Sequence, residues 1–230
     1  MKTIGLLGGM SWESTIPYYR LINEAVKQRL GGLHSAKLLL HSVDFAGIEA
    51  CQRAGDWTTA GEQLARAARG LQEAGADLLL IGANTMHKVA PAIEAAIDIP
   101  LLHVADATAQ AIRAAGITCV GLLGTRFTME QDFYVDRLAS HGLDVQVPSP
   151  ADRDEVHRVI YDELCLGRFE DASRAMFRRV MADLLARGAG GIILGCTEIG
   201  LLVDAGDCAA PQFDTTRLHA LAAVEAALAS

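Results

Sequence analysis

The strongest constraint on the fold is that the chain carries its design twice. Gly5-Leu6-Leu7-Gly8 near the start recurs as Gly121-Leu122-Leu123-Gly124, and Tyr18 recurs at the same offset as Tyr134. A second pair supports the first. Gly75-Ala76, the apolar run to Ile81, and Gly82-Ala83-Asn84-Thr85 are matched by Gly188-Ala189, the run Ile192 to Leu194, and Gly195-Cys196-Thr197-Glu198. Short apolar runs bounded by glycine read as buried strands. The recurring helix-glycine-strand junction (Gly75, Gly116, Gly188) is the mark of βα units in a parallel sheet. The expected fold is therefore α/β, with two pseudo-symmetric lobes, each a mostly parallel sheet flanked by helices. Two halves of like design meeting face to face would bring their strand ends to one cleft.

The length of 230 residues suits two compact lobes. Residues 1–103 together with 209–230 are expected to form the first lobe and 104–208 the second. No low-complexity linker separates them, so the closing helix should return to the first lobe. The pattern predicts strands over 2–7, 37–43, 101–103, 119–123, 144–147 and 210–213, besides those at Leu78 and Ile192. Long helices are expected over 14–30, 57–74, 105–115, 155–166, 170–187 and 216–229, with a shorter one over 88–96. Gly8-Gly9-Met10-Ser11-Trp12 reads as a glycine-rich turn after the first strand. It lacks the G-x-G-x-x-G spacing of a dinucleotide site, so NAD and FAD are not expected. Its backbone amides could instead approach an anionic ligand.

Charge and composition narrow the function. A net charge of −8 argues against a nucleic-acid or anionic-membrane surface, while leaving room for a small acidic substrate. The chain shows no signal peptide and no apolar stretch of transmembrane length, and a cytoplasmic location is expected. Five scattered cysteines show neither a CxxC pair nor a His/Cys metal spacing, so neither a disulfide framework nor a metal site is expected.

Cys196 is the candidate reactive group. It follows directly on a strand end, where α/β proteins bind ligands, and a helix N-terminus behind it would favour its thiolate. The alternative is a small buried residue that merely ends a strand. Gln52 and Arg53 could hold a carboxylate, or Arg53 could be an ordinary solvated helix charge. Thr125 and Thr128 could donate to a ligand or cap a helix. His87 could transfer a proton or cap a helix.

The ordered set Gly8-Gly9-Met10-Ser11-Trp12-Glu13-Ser14, Asn84-Thr85-Met86-His87 and Gly195-Cys196-Thr197-Glu198 resembles the cofactor-independent aspartate/glutamate racemase family. The likeness is greatest to the bacterial broad-specificity or L-aspartate/glutamate-specific branch, and it covers essentially the whole chain. It implies proton transfer at the α-carbon of an amino acid or dicarboxylate without pyridoxal phosphate or another cofactor, usually in a homodimer. Cys196 would be the acid/base. Met10, Gln52, Ala83, Asn84, Thr85, Thr125, Thr197 and Glu198 would surround the substrate, with Glu198 orienting the neighbouring backbone.

One position departs from the family. The residue before the Asn-Thr pair is a cysteine in two-cysteine members and a threonine in the closest branch; here it is Ala83. Inverting a stereocentre needs a proton-transfer group on each face, and a positioned acid or base is worth about 10²–10⁴ in rate. Alanine supplies none. Thr85, His87 or a water could replace it, or Cys196 could work alone. Working alone, it would be similar to the one-cysteine arylmalonate decarboxylases of the superfamily. A homologue that binds a dicarboxylate without turning it over is the third reading.

Overall fold

The computed structural model describes residues 1–229 and contains two four-stranded parallel sheets. The first is built from β1 (Ile4–Gly8), β2 (Leu38–Ser42), β3 (Leu78–Ile81) and β4 (Leu101–Leu102), in the order β2-β1-β3-β4. The second is built from β5 (Cys119–Gly124), β6 (Asp144–Gln146), β7 (Ile192–Gly195) and β8 (Gln212–Asp214), in the order β6-β5-β7-β8. The orders are the same, and the repeated Gly-Leu-Leu-Gly segments are the inner strands β1 and β5. The repeat in the sequence is therefore a repeat in topology.

In the first sheet, alternation sorts the side chains onto two faces. Ile4, Leu6, Leu78 and Leu80 join one buried cluster. It is covered by Tyr18, Ile22, Ala25 and Val26 of α1 (Trp12–Leu30) and by Ala220, Ala223, Val224 and Ala227 of the last helix. Leu7, Leu79 and Ile81 point the other way. They pack under Ile48 of α2 (Phe45–Ala54), under Ala60, Leu64, Ala67, Ala68 and Leu71 of α3 (Trp57–Glu73), and under Ile93 of α4 (Ala90–Glu94). Strands buried on both faces read as continuous apolar runs, which is why Leu78 to Ile81 shows no polar alternation.

The second sheet is assembled in the same way. After α5 (Val104–Ala114) come α6 (Arg126–Glu130), α7 (Asp132–Ser140), α8 (Pro150–Asp162) and α9 (Asp171–Ala186). Val156, Val159 and Ile160 of α8 and Phe177, Val180, Met181 and Leu184 of α9 are all buried. Gly121 is fixed by this packing: a Cβ there would meet Leu184 and Ile192 side chains at 2.9 Å. The chain ends with α10 (Ile199–Leu202) and α11 (Thr215–Leu228).

Three features differ from the sequence expectation. The helix expected from residue 155 already starts at the Pro148-Ser149-Pro150 segment. The Ser149 hydroxyl accepts from the Asp152 amide as N-cap, and Pro150, which has no N–H to leave unpaired, takes the first helical position. α8 therefore begins at residue 150, five residues earlier than the apolar periodicity suggested. The segment after β5, for which the sequence pattern gives no helix, carries the short helix α6, with Thr125 as its cap. Finally, β8 pairs with β7, so residues 210–218 belong with the second sheet. One compact unit is residues 1–104 with the segment from His219, and the other is Ala105–Leu218. The second crossing lies inside α11 and not at residue 209.

The returning part of α11 is tied in by His219, which is fully buried in the first unit. Its Nε2–H donates to the Leu102 carbonyl at 2.8 Å, and its Nδ1 accepts from the Tyr18 hydroxyl at 2.9 Å. Burial pushes its pKa down to about 3. The unfolded chain therefore binds a proton near pH 6.5 that the folded chain refuses until about pH 3. This contribution to stability is complete above pH 6.5 and is lost as the pH falls towards 3. Denaturant unfolding at pH 7, 6, 5 and 4 should lose up to about 1.4 kcal/mol per pH unit from this group. His219→Gln should flatten that slope.

Candidate active site

The candidate residues sit at equivalent places in the two units, at the carboxyl ends of β3 and β7. In the first unit Gly82 follows β3, and its amide donates to the Leu7 carbonyl of β1 at 2.7 Å. Ala83, Asn84 and Thr85 come next and are all buried. Asn84 occupies the position before a 3-10 segment, Thr85–Val89, which runs into α4. Gln52 of α2 is buried beside this turn, its amide donating to Met86 Sδ at 3.0 Å. Met10 belongs to the same apolar cluster as Ala83 and Met86. Arg53 is elsewhere: its side chain is 74% exposed and paired with Glu49 at 2.7 Å, an ordinary solvated helix charge.

The glycine-rich turn is closed on itself. The Gly9 amide donates to Thr15 Oγ1 at 2.8 Å, and the Ser14 and Thr15 hydroxyls both donate to the Ser11 carbonyl at 3.0 Å. The expectation that this turn offers its amides to an anion therefore fails at Gly9. Glycine is required there for another reason: φ is +86°, and a Cβ would lie 2.4 Å from the Val43 carbonyl oxygen.

In the second unit Gly124 and Gly195 are register partners of β5 and β7, so Thr125 and Cys196 follow side by side. A Cβ on Gly195 would come within 2.8 Å of the Leu123 carbonyl oxygen, which explains a glycine directly before the thiol. Thr125 spends its hydroxyl on capping, accepting from the Thr128 amide at 3.3 Å. Cys196 is 8% exposed and Glu198 is 2% exposed. The Cys196 thiol donates to Glu198 Oε2 at 2.8 Å, and the Thr197 hydroxyl donates to the same oxygen at 2.8 Å. Glu198 thus meets the thiol directly, beyond the backbone-orienting part expected of it.

The electrostatics reverse the sequence expectation for the resting thiol. Burial pushes the Cys196 thiol well above its ordinary pKa, and the Glu198 carboxylate beside it adds to the rise. The helix behind it is the four-residue α10, too short to offset either effect. Cys196 therefore rests as a protonated thiol hydrogen-bonded to a carboxylate. The loop beyond is pinned by buried Asp207, which accepts from the Asp204 amide at 2.8 Å and from Arg174 and Arg178.

Three side-chain atoms are buried with no hydrogen-bond partner among the described residues: Glu13 Oε2, next to the glycine-rich turn, Gln146 Oε1 of β6, and Thr216 Oγ1, just past β8. The signal for Thr216 was the doubled threonine at a strand-to-helix junction, which reads equally well as a cap. A surface groove of about 670 Å³ between α3 and α4, lined by Trp57, Arg66, Arg69 and Lys88 among others, shares no residue with these strand ends. Among the described residues no group of three His, Cys, Asp or Glu side chains could hold a metal ion. No helix among them is long and apolar enough to cross a membrane.

The two units repeat one α/β topology, and the second holds a buried thiol beside a carboxylate just after a strand end. The profile of the Asp/Glu/hydantoin racemase family matches residues 7–223, and the chain belongs to that family. It is thus an enzyme of the racemase class, an isomerase. It is similar to a crystal structure from Yersinia pestis described as a candidate Asp/Glu racemase, with 58% identity over the full length of both chains and a TM-score of 0.92. It is also similar to an aspartate racemase homologue from Pyrococcus horikoshii, with 33% identity over 99% of each chain and a TM-score of 0.85. Glutamate racemase from Francisella tularensis, solved with D-glutamate, shares the fold at 14% identity and a TM-score of 0.68, over 98% of this chain and 80% of that one.

Proposed function

We propose that the protein interconverts the L and D forms of aspartate, glutamate or a related amino acid by α-proton transfer without pyridoxal phosphate. Cys196 is the acid/base. The observation that carries this reading is the 2.8 Å contact between the buried Cys196 thiol and Glu198. A protonated thiol is ready to deliver a proton to a substrate carbanion. To work in reverse it must first lose its proton, and the one carboxylate in contact can take it. Glu198 is then the proton store that lets one thiol serve as acid in one direction and base in the other. Asn84, Thr85 and Thr197 bind the substrate carboxylates and stabilise the developing enolate charge. In the repeat, Ala83 takes the place in the first unit that Cys196 takes in the second.

Incubating the protein with each enantiomer of aspartate and glutamate, followed by chiral chromatography, tests this reading. Appearance of the opposite enantiomer supports it; no conversion across these and a panel of other amino acids removes it. A second reading is favoured by Ala83, which has no proton to give: Cys196 protonates one face only, as a lyase acting on a substituted malonate would require. Carbon dioxide release from such a malonate, lost in Cys196→Ala, would select it.

Glu198→Gln separates the two effects of that carboxylate. Glutamine cannot take the proton, so turnover should fall by about 10² or more. It also removes the negative charge that adds to the effect of burial in keeping the thiol protonated. The Cys196 pKa should therefore drop, and the thiol should be alkylated faster than in wild type at pH 8, as read by peptide mass spectrometry. Activity and alkylation moving in opposite directions is the expected outcome.

A further inference from the structure

His87 stands in the middle of a buried array of imidazoles in the first unit. Its ring lies 4.4 Å from that of His103 and 5.7 Å from that of His219, centroid to centroid. All three are buried. Both nitrogens of His87 face backbone atoms. Nδ1 lies 2.8 Å from the Ala83 carbonyl oxygen, which can only accept, so Nδ1 carries the proton. Nε2 lies 3.2 Å from the Val104 amide, which can only donate, so Nε2 is bare. The two contacts fix one neutral tautomer. A second proton would have to go on Nε2, facing an N–H.

We propose that His87 is a positioning residue: its Nδ1–H holds the Ala83 carbonyl, and with it the Ala83–Asn84–Thr85 turn, in the orientation that receives the substrate. The proposal rests on the racemase reading given above. Its physical ground is the shortness of the link. Ala83 is the residue directly after Gly82, and the next two residues are the candidate substrate ligands. The peptide that joins Ala83 to Asn84 includes the carbonyl that His87 grips. The other end of the imidazole is anchored on Val104, just past β4, and the neighbouring His219 is anchored on Leu102 and Tyr18. The turn is thereby referenced to the sheet edge and to the returning helix α11. This arrangement leaves His87 no nitrogen for proton transfer, so it cannot replace the group missing at Ala83.

The test compares two conservative variants with the wild type. Asparagine places its amide nitrogen near the Nδ1 position and can keep the tie to the Ala83 carbonyl. Glutamine places its amide near Nε2 and cannot keep that tie. His87→Asn should hold kcat/KM for aspartate or glutamate within a few-fold, while His87→Gln should lower it by about tenfold or more, mainly through KM. Thermal unfolding of both variants checks that the difference is not one of folding. Independently of turnover, two-bond 1H–15N correlation on 15N-histidine-labelled protein should show His87 protonated at Nδ1 and bare at Nε2, unchanged between pH 5.5 and 8.5.

A titrating His87, an Nε2–H tautomer, or equal loss in both variants would overturn the positioning role. If the wild type itself neither turns over nor binds aspartate or glutamate, the racemase reading falls instead. The tautomer measurement stands apart from that result, so the two failures can be told apart.

Discussion

Cys196→Ala is expected to lower α-proton transfer by about 10²–10⁴ while leaving the fold intact, because it removes a single positioned acid/base. The site is built to tolerate the change. Removing one sulfur from a strand end leaves Thr197 still donating to Glu198 at 2.8 Å, so the buried carboxylate keeps a partner. Unfolding by denaturant should therefore move by no more than about 1–2 kcal/mol. Cys196→Ser is the sharper control. It keeps the shape and the hydrogen bond to Glu198, but an alcohol is a far weaker acid than a thiol, so activity should remain close to that of the alanine variant. Initial rates from chiral chromatography at fixed folded concentration check both. A serine variant near wild-type rate would mean that the thiol holds structure and does not move a proton.

Ala83→Cys is expected to have the opposite effect. The resemblance places a cysteine at this position in two-cysteine members and a threonine in the closest branch, and the internal repeat sets Ala83 opposite Cys196. On the proposed racemase reading, a thiol there adds a second proton donor, so racemisation should rise by about 10²-fold. Ala83→Thr should give a smaller rise. His87 remains tied to backbone in both variants, so a gain can be assigned to residue 83. No change in rate would mean that a water or Thr85 already fills the role.

Much of the fold was legible because it depends on repetition and on apolar runs. The Gly-Leu-Leu-Gly pair marked the inner strands, and glycine at each βα junction marked the order. What was not legible depended on local chemistry that overrides periodicity. Pro148-Ser149-Pro150 looks like a break in any pattern count, yet a serine cap followed by proline at the first helical position is also how a helix starts. The short segment Gln212–Asp214 could join either half, and only its pairing with β7 decides.

The candidate positions were legible in the sequence, and their chemical state was less so. Cys196, Thr197, Glu198, Asn84 and Thr85 were marked by their places after strand ends. Sequence alone suggested a thiolate, because a helix behind a cysteine favours one. It could not show that this helix is one turn long or that Glu198 turns back onto the sulfur. Those depend on tertiary placement, and with burial of the sulfur, the largest cause, they reverse the sign of the expected shift. The partners of His87 were hidden for the same reason: one is four residues away and the other seventeen.

The most direct test of the central claim is exchange of the α-proton in heavy water, with L- and D-aspartate and glutamate offered separately to fully reduced protein. Proton NMR follows exchange and chiral chromatography follows inversion. The account predicts deuterium at the α-carbon in wild type, accompanied by the opposite enantiomer, and loss of both in Cys196→Ala. Exchange that persists undiminished in Cys196→Ala would contradict it.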